Sequence, residues 1–108
     1  MQVVHYRTSD EKDVFQRWLD RLSDQRARRR ILRRIDRIEL DGYIGDHKVL
    51  QEGISELRVD EGAGYRIYFA RSGNQVILLL CGGDKASQDK DIARAVDFWK
   101  DYQSRIQS

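Results

Sequence analysis

Two arginines, Arg58 and Arg66, stand inside a segment that otherwise has the pattern of a β-sheet. A guanidinium is planar and permanently charged, and its N–H groups match the oxygens of a phosphate or a carboxylate. Glu56 lies two residues before Arg58 and therefore shares its strand face. Glu56 can accept a proton in catalysis or pair with Arg58, and Arg66 can bind a ligand or pair with an acid of the hairpin, Asp60 or Glu61. The sequence leaves these alternatives open.

Other residue types that commonly do chemistry are few. The histidines are His5, which we expect to be structural within a first strand, and His47, a candidate for acid–base work on a connection beside Lys48. Cys81 lies in an apolar segment, which favours a buried thiol over a nucleophile. Because no cluster of histidine, cysteine and carboxylate residues has metal-site spacing, the sequence predicts neither a metal nor a cofactor.

The size and charge of the chain limit the class of protein. At 108 residues, 35% of them charged, the chain is predicted to form one domain spanning residues 1–108. Residues 1–10 do not have the pattern of a signal peptide and no apolar run is long enough to span a membrane, so we expect a cytoplasmic protein. Fifteen of the 20 basic residues are arginine, and seven of these lie between Arg26 and Arg37. This composition favours an acidic partner, either nucleic acid or protein.

The elements that must position the arginines are three consecutive strands. Residues 54–60 alternate apolar and polar side chains, residues 65–72 are rich in aromatic and β-branched types, and residues 75–82 are apolar at both parities. Glycine-bearing turns separate them. We expect the third strand to lie centrally with both faces covered. Arg66 and Tyr68 share a face, which we expect the helices to leave open apart from the part that Tyr68 buries.

Five further elements complete the prediction. They are a strand at residues 2–7, a helix from residue 10, a helix at 25–40, a short strand at 48–51, and a last helix from 87 or 88 whose tail frays from 102. Thr8 with Glu11 fits a cap for the first helix, and Asp24 and Gly42 fit the ends of the second. The predicted fold is α+β: an N-terminal strand, a helical hairpin, an antiparallel sheet and a C-terminal helix.

The second predicted helix contains all seven of the clustered arginines. One interpretation is a solvated outer face, with the arginine stems covering apolar surface. The other is a basic ridge along a nucleic-acid backbone. No aromatic residue is interleaved with the arginines, which argues against base stacking on this helix.

Four segments of the second half of the chain form an ordered set. They are Gly53-Ile54-x-Glu56-Leu57-Arg58, Gly64-Tyr65-Arg66-Ile67-Tyr68-Phe69, Leu78-Leu79-Leu80-Cys81-Gly82-Gly83-Asp84-Lys85, and Gln88 with Asp91-Ile92-Ala93-x-Ala95. In these residues the chain resembles toxins of the bacterial RelE/ParE superfamily, in the HigB-like "addiction module killer protein" branch. The resemblance implies a small toxin encoded beside an antitoxin. RelE- and HigB-like members cut messenger RNA in the ribosomal A site, whereas ParE-like members poison DNA gyrase, and the shared fold does not choose between them.

The resemblance also implies roles for the basic residues. Arg66 matches an arginine that contacts the scissile phosphate, Arg58 a basic residue on the preceding strand, and Lys85 a basic residue that follows the glycine pair. With Lys48 they form the predicted phosphate-binding set. Glu56 stands where RelE often has a lysine.

A further departure is in the last helix, where Ile92 stands in place of a RelE tyrosine. The general base is therefore not identified, and Glu56 and His47 are its candidates here.

The sequence thus predicts a ribosome-dependent, metal-independent mRNA endonuclease (mRNA interferase), which arrests translation and is neutralised by its cognate antitoxin. The antitoxin is expected to be a helix-turn-helix protein, and promoter DNA is expected to be bound only through the toxin–antitoxin complex. No membrane partner is expected. The alternatives are a ParE-like gyrase inhibitor and a non-catalytic nucleic-acid- or protein-binding module.

Overall fold

The computed structural model describes residues 1–107. Its elements are β1 Gln2–His5, α1 Val14–Arg21, α2 Gln25–Asp41, β2 His47–Val49, β3 Ile54–Val59, β4 Tyr65–Ser72, β5 Val76–Asp84 and α3 Gln88–Ile106. A single 3-10 turn, Lys85–Ser87, joins β5 to α3. This order confirms the predicted α+β fold. Within the described residues, no helix has the length and apolar character needed to cross a membrane.

The five strands form one mixed sheet in the order β1-β5-β4-β3-β2. Strands β2 to β5 pair antiparallel with their neighbours, as predicted. The first strand is the exception, because β1 runs parallel to β5 from Gln2, opposite Val76, to His5, opposite Leu79. No hairpin joins β1 to its neighbour, so the antiparallel direction is not imposed on it. β5 lies inside the sheet, and both of its faces are buried, as its apolar pattern predicts.

The helices α1 and α2 cover one face of the sheet. Asp24 accepts a hydrogen bond from the Ala27 amide at 3.0 Å and begins α2, while Gly42, at a φ of 76°, ends it; both caps were predicted. The apolar stripe of α2 is buried in the core on this face of the sheet, where the helix lies closest to β1 and β3. Its members are Ala27, Ile31, Ile35 and Ile38.

The start of α1 differs from the prediction. Thr8 does not cap this helix, which begins at Val14, and Asp13 is its cap, accepting a hydrogen bond from the Gln16 amide at 3.0 Å. Glu11 has a φ of 68°, in the left-handed region, and therefore cannot be the third residue of a helix. Residues 8–12 instead form a turn in which the Lys12 amide donates to Thr8 Oγ1 at 3.0 Å.

The helix α3 covers the other face of the sheet, so the expectation of an open face was wrong. Tyr68 is fully buried there, and Arg66 and Glu56 are only 7% and 2% exposed. Ala95 and Val96 of α3 belong to the apolar cluster that encloses Tyr68. Polar residues can lie beneath a helix here because Glu56 and Arg66 carry opposite charges and face each other.

The end of α3 also differs from the prediction. The helix continues to Ile106 instead of fraying from Tyr102. Arg105 holds it to the beginning of the chain, since its Nη2 donates to the Arg7 carbonyl at 2.7 Å and to Tyr6 Oη at 3.2 Å.

Candidate active site

The β3–β4 hairpin brings the two strand arginines together. Arg58 and Arg66 are directly opposite each other, and Gly83 of β5 is opposite Arg66 on its other side. Residues that are opposite in adjacent strands project from the same face, so both guanidinium groups lie on the face that α3 covers. A Cβ at Gly83 would lie 1.8 Å from Asp91 Oδ2, so the helix approaches β5 closely beside the pair.

Glu56 lies at the centre of this cluster. Its Oε2 is 3.5 Å from Arg58 Nε, and its Oε1 is 3.5 Å from Arg66 Nε. The side-chain amide of Gln88, at the start of α3, donates a hydrogen bond from Nε2 to the same Oε1 of Glu56. The carboxylate is thus enclosed by two guanidinium groups and an amide, and in this conformation substrate cannot approach it directly.

Arg66 is held on several sides. Its Nη1 donates to the Tyr65 carbonyl at 3.0 Å and lies 4.0 Å from Asp60 Oδ1. Only 9% of its side chain is exposed, compared with 33% for Arg58. Of the two acids proposed as partners across the hairpin, Asp60 is therefore near Arg66, whereas Glu61 binds Arg30 of α2 at 2.9 Å.

Tyr68 and Gln88 are members of the cluster to which the sequence did not assign a site role. Tyr68 is directly opposite Glu56, and its hydroxyl is buried with no hydrogen-bond partner among the described residues. Burial raises the pKa of Tyr68 above its usual range, and the neighbouring charge of Glu56 raises it further. Tyr68 is consequently a protonated phenol. The sequence did contain a signal for both residues, because Tyr68 and Gln88 lie within the four motif segments.

The two lysines of the predicted set lie at the exposed rim of this face. Lys85 follows β5, donates its amide to the Gly64 carbonyl at 3.0 Å, and lays its stem over the β3–β4 turn. Lys48 is opposite Glu56 on β2 and lines a cleft of about 430 Å³ between β2 and α3. The cleft wall on α3 includes Ile92, the residue that departs from the RelE pattern.

The structure separates His47 from the arginines. His47 is opposite Leu57, whose side chain is in the core beneath α1 and α2, so His47 belongs to the other face of the sheet. Its Nδ1 lies 2.8 Å from the Gly45 carbonyl oxygen. The other histidine, His5, has Nδ1 2.8 Å from Asp13 Oδ2, a contact between β1 and the cap of α1.

The cluster carries charges of both signs. Four cations, Lys48, Arg58, Arg66 and Lys85, lie with the carboxylates of Glu56 and Asp60, and the carboxylate of Asp91 approaches Gly83 beside them. Attack of a ribose 2′-hydroxyl on its neighbouring phosphate needs proton transfer at two oxygens and cations that stabilise the charge growing on the phosphate. The arrangement can supply the cations, with Arg58 and Lys85 accessible and Arg66 beneath them. Residues 1–107 contain no group of three or more side chains placed to hold a metal ion.

Residues 17–100, from α1 into α3, match the family described as "Phage derived protein Gp49-like (DUF891)". The chain belongs to this Gp49-like family. Over 82 residues it is 48% identical to an uncharacterized protein of Haemophilus influenzae, in an alignment that covers 76% of this chain and 82% of that protein.

The Gp49-like family is a RelE/ParE-like family of toxins from toxin–antitoxin systems. The superfamily resemblance inferred from the motifs is therefore confirmed. Membership implies an antitoxin as the partner of the chain. The matched range contains the whole cluster described above, from Lys48 to Gln88.

Proposed function

We propose that this Gp49-like protein is a toxin of the HigB-like branch that cuts messenger RNA on the ribosome and thereby arrests translation. The observation that supports it most is the pairing of Arg58 and Arg66 on adjacent strands, both at 3.5 Å from Glu56. Two guanidinium groups held side by side match the oxygens of one phosphodiester.

In this proposal the residues have distinct tasks. Arg58 and Lys85 contact the RNA phosphate, because both are accessible at the rim of the cluster. Arg66 stabilises the negative charge that grows during cleavage, and Lys48 binds a neighbouring phosphate. Glu56 is a positioning residue, since its two oxygens face one arginine each. His47, on the opposite face, has no task in the site.

The partners follow from the same proposal. The cognate antitoxin, a helix-turn-helix protein, neutralises the toxin, and promoter DNA is bound through the complex of the two. The reaction takes place in the cytoplasm and uses no metal.

Tightly regulated expression in bacteria, followed by mapping of RNA 5′ ends across the transcriptome, tests the proposal. We expect growth arrest with new ends inside translated codons for the unaltered chain. Removing one group that stabilises a transition state lowers a rate about 10²- to 10³-fold, so Arg66→Ala should abolish the cuts. Lys85→Ala, at an exposed residue whose loss leaves the core intact, should weaken them.

The matched control is Arg71→Ala, because Arg71 is an exposed arginine on the same strand. It should cut as the unaltered chain does, and circular dichroism should show that each variant is folded. Unchanged cleavage by Arg66→Ala would contradict the role of Arg66. Arrest with intact messages and a DNA-damage response would replace the proposal with the gyrase alternative, and binding without arrest would indicate a non-catalytic module.

A further inference from the structure

A second cleft, of about 360 Å³, lies at the edge of the sheet where β1 ends. The pairing of β1 with β5 stops at Leu79, and within residues 1–107 no strand continues along this edge of β5. The cleft is formed there by residues of the loop before α1, of α1, of β5 and of α3. It contains none of the residues assigned above to the cleavage site.

The cleft is strongly cationic. Four positive side chains line it, Lys12, Arg17, Arg21 and Arg94, and its lining within the described residues includes no carboxylate. Asp10 lies 3.4 Å from the Lys12 amine, and Asp91 lies 3.4 Å from Arg94 Nη1.

The remaining two cations are not neutralised. Arg17 and Arg21 are exposed, and neither forms an ion pair with another residue of the described range. An anionic ligand would therefore be favoured here.

An aromatic ring forms a wall of the same cleft. The indole of Trp18 is half-buried and lies directly on Gly82, where a Cβ would be 2.4 Å from Trp18 Cε3. Phe15 and Tyr65 contact the indole at centroid distances of 5.9 and 6.2 Å. The ring is consequently held in a fixed orientation beside the cations.

We propose that this cleft binds one nucleotide of a single-stranded RNA, with the base against Trp18 and the phosphates beside Arg17 and Arg21. A fixed aromatic ring next to unpaired cations is the combination with which proteins hold single strands, because every base has a face that can stack. The choice of RNA over DNA rests on the proposed function, whereas binding in the cleft does not require cleavage. Gly82 and Gly83, the partner of Arg66, face opposite sides of the sheet, towards Trp18 and Asp91 respectively, so a strand in the cleft would pass round the edge of β5 to reach Arg66.

The test is binding of a fluorescein-labelled, short single-stranded RNA of mixed sequence, measured by fluorescence anisotropy with the purified chain. Its riboses carry 2′-O-methyl groups, which prevent cleavage. Trp18→Leu should weaken binding about tenfold, in the range that removal of a stacking ring causes. An RNA strand with abasic positions should bind the unaltered chain about as weakly as the complete strand binds Trp18→Leu. For this abasic strand, Trp18→Leu should cause no further loss of binding. Trp99→Leu is the matched control and should bind normally.

The charges are tested separately, with variants that keep the core intact. Replacing Arg17 and Arg21 with Gln should make the fall of log affinity with log salt concentration less steep by about 1.4. This is the change expected when two phosphate contacts to a single strand are lost. The same replacement at Arg29 and Arg33, two exposed arginines of α2, removes equal charge and should leave the slope unchanged.

Three results would overturn the proposal. One is normal RNA binding by the Trp18→Leu variant when thermal unfolding shows that the variant is folded. This result counts against the proposal even if the variant no longer binds the antitoxin. Another is an equal loss of slope in both double variants. Equal binding of a DNA strand of the same sequence would overturn the assignment to RNA. The cleavage proposal is judged independently, because its test maps RNA ends in cells that express Arg66→Ala, whereas the test here measures binding with variants of the cleft residues.

Discussion

Glu56 and Arg66 are a pair of charged residues that the fold places under a helix. Removing a charge from water costs several kcal/mol unless another charge and hydrogen bonds compensate. Here one carboxylate faces two arginines and accepts a hydrogen bond from Gln88. Removing one member of this cluster leaves another charge buried without compensation. Each member should therefore contribute more to the free energy of unfolding than an exposed charge does.

Glu56→Gln should therefore lower the free energy of unfolding by about 3 kcal/mol, because it leaves Arg66 buried with its charge uncompensated. Urea unfolding of the purified chain measures this change. Asp60→Asn is the matched control, since Asp60 faces the same guanidinium at 4.0 Å but is 74% exposed. Its effect should be below about 1 kcal/mol. Equal losses in the two variants would show that burial of Glu56 is not the cause.

At the scale of the element, the seven arginines of α2 divide between the two interpretations, a solvated outer face and a basic ridge. Five of the seven bind groups of the chain itself, which favours the interpretation as a supporting outer face. Their partners are Glu61 for Arg26 and Arg30, Asp20 for Arg28, backbone carbonyls for Arg34, and Asp41 for Arg37. Arg29 and Arg33 are exposed and form no ion pair among residues 1–107.

Arg34 connects α2 to the strand that carries Arg58. It donates to the carbonyls of Arg58 at 2.6 Å, and of Ile44 and Asp46 at 2.9 Å each. Burial lowers the pKa of Arg34 below its usual range, but the guanidinium remains charged at neutral pH.

Arg34→Ala should cost about 2 to 4 kcal/mol of unfolding free energy, because three backbone carbonyls, two of them in part-buried contacts, lose a charged donor. Thermal or urea unfolding gives the value. Arg33→Ala, one residue earlier and exposed, should stay within about 0.5 kcal/mol of the unaltered chain. A small effect of Arg34→Ala would mean that water replaces the guanidinium at these carbonyls.

At the scale of the whole molecule, the sheet is a middle layer with a core on each face. The last helix closes the second core and is joined to the first strand by polar contacts. Tyr6 Oη donates to Asp101 Oδ2 at 2.5 Å, and the Tyr6 ring stacks on Phe98 at a centroid distance of 4.9 Å. Residues 95 positions apart thus hold the two ends of the described chain together.

The Tyr6 contact predicts a pH dependence of stability. Burial, followed by the hydrogen bond to Asp101, raises the pKa of Tyr6 to about 12. The folded state therefore holds this proton more tightly than the unfolded state, whose tyrosine titrates near about 10. The stability it contributes is complete below about pH 10 and is lost as the pH rises towards 12.

Tyr6→Phe keeps the ring and removes the proton. Its free energy of unfolding should fall less steeply than that of the unaltered chain above about pH 10, by about 1 to 2 kcal/mol in total. Urea unfolding at a series of alkaline pH values measures the difference. Tyr43→Phe, at a tyrosine that is 57% exposed, is the control and should leave the slope as it is. Parallel curves for Tyr6→Phe and the unaltered chain would contradict the prediction.

The sequence by itself determined the order of the elements and the caps of α2, because that information is local, although a local pattern also misplaced the cap of α1. The apolar period of α2, with Asp24 before it and Gly42 after it, and the glycine turns of the three-strand segment depend on residues a few positions apart. The motif order likewise sufficed for the superfamily, since it needs no contact between distant residues.

Only the tertiary structure decided which faces are covered and which side chains meet. The alternation of β3 predicted one solvated face, yet α3 packs on it, because Gly83 leaves room for the helix and Glu56 compensates Arg66. Register then placed Lys48 with Glu56 and put His47 on the opposite face. A shift of one residue exchanges the two faces of a strand, and pairing between strands, which fixes that shift, depends on residues far apart in the chain.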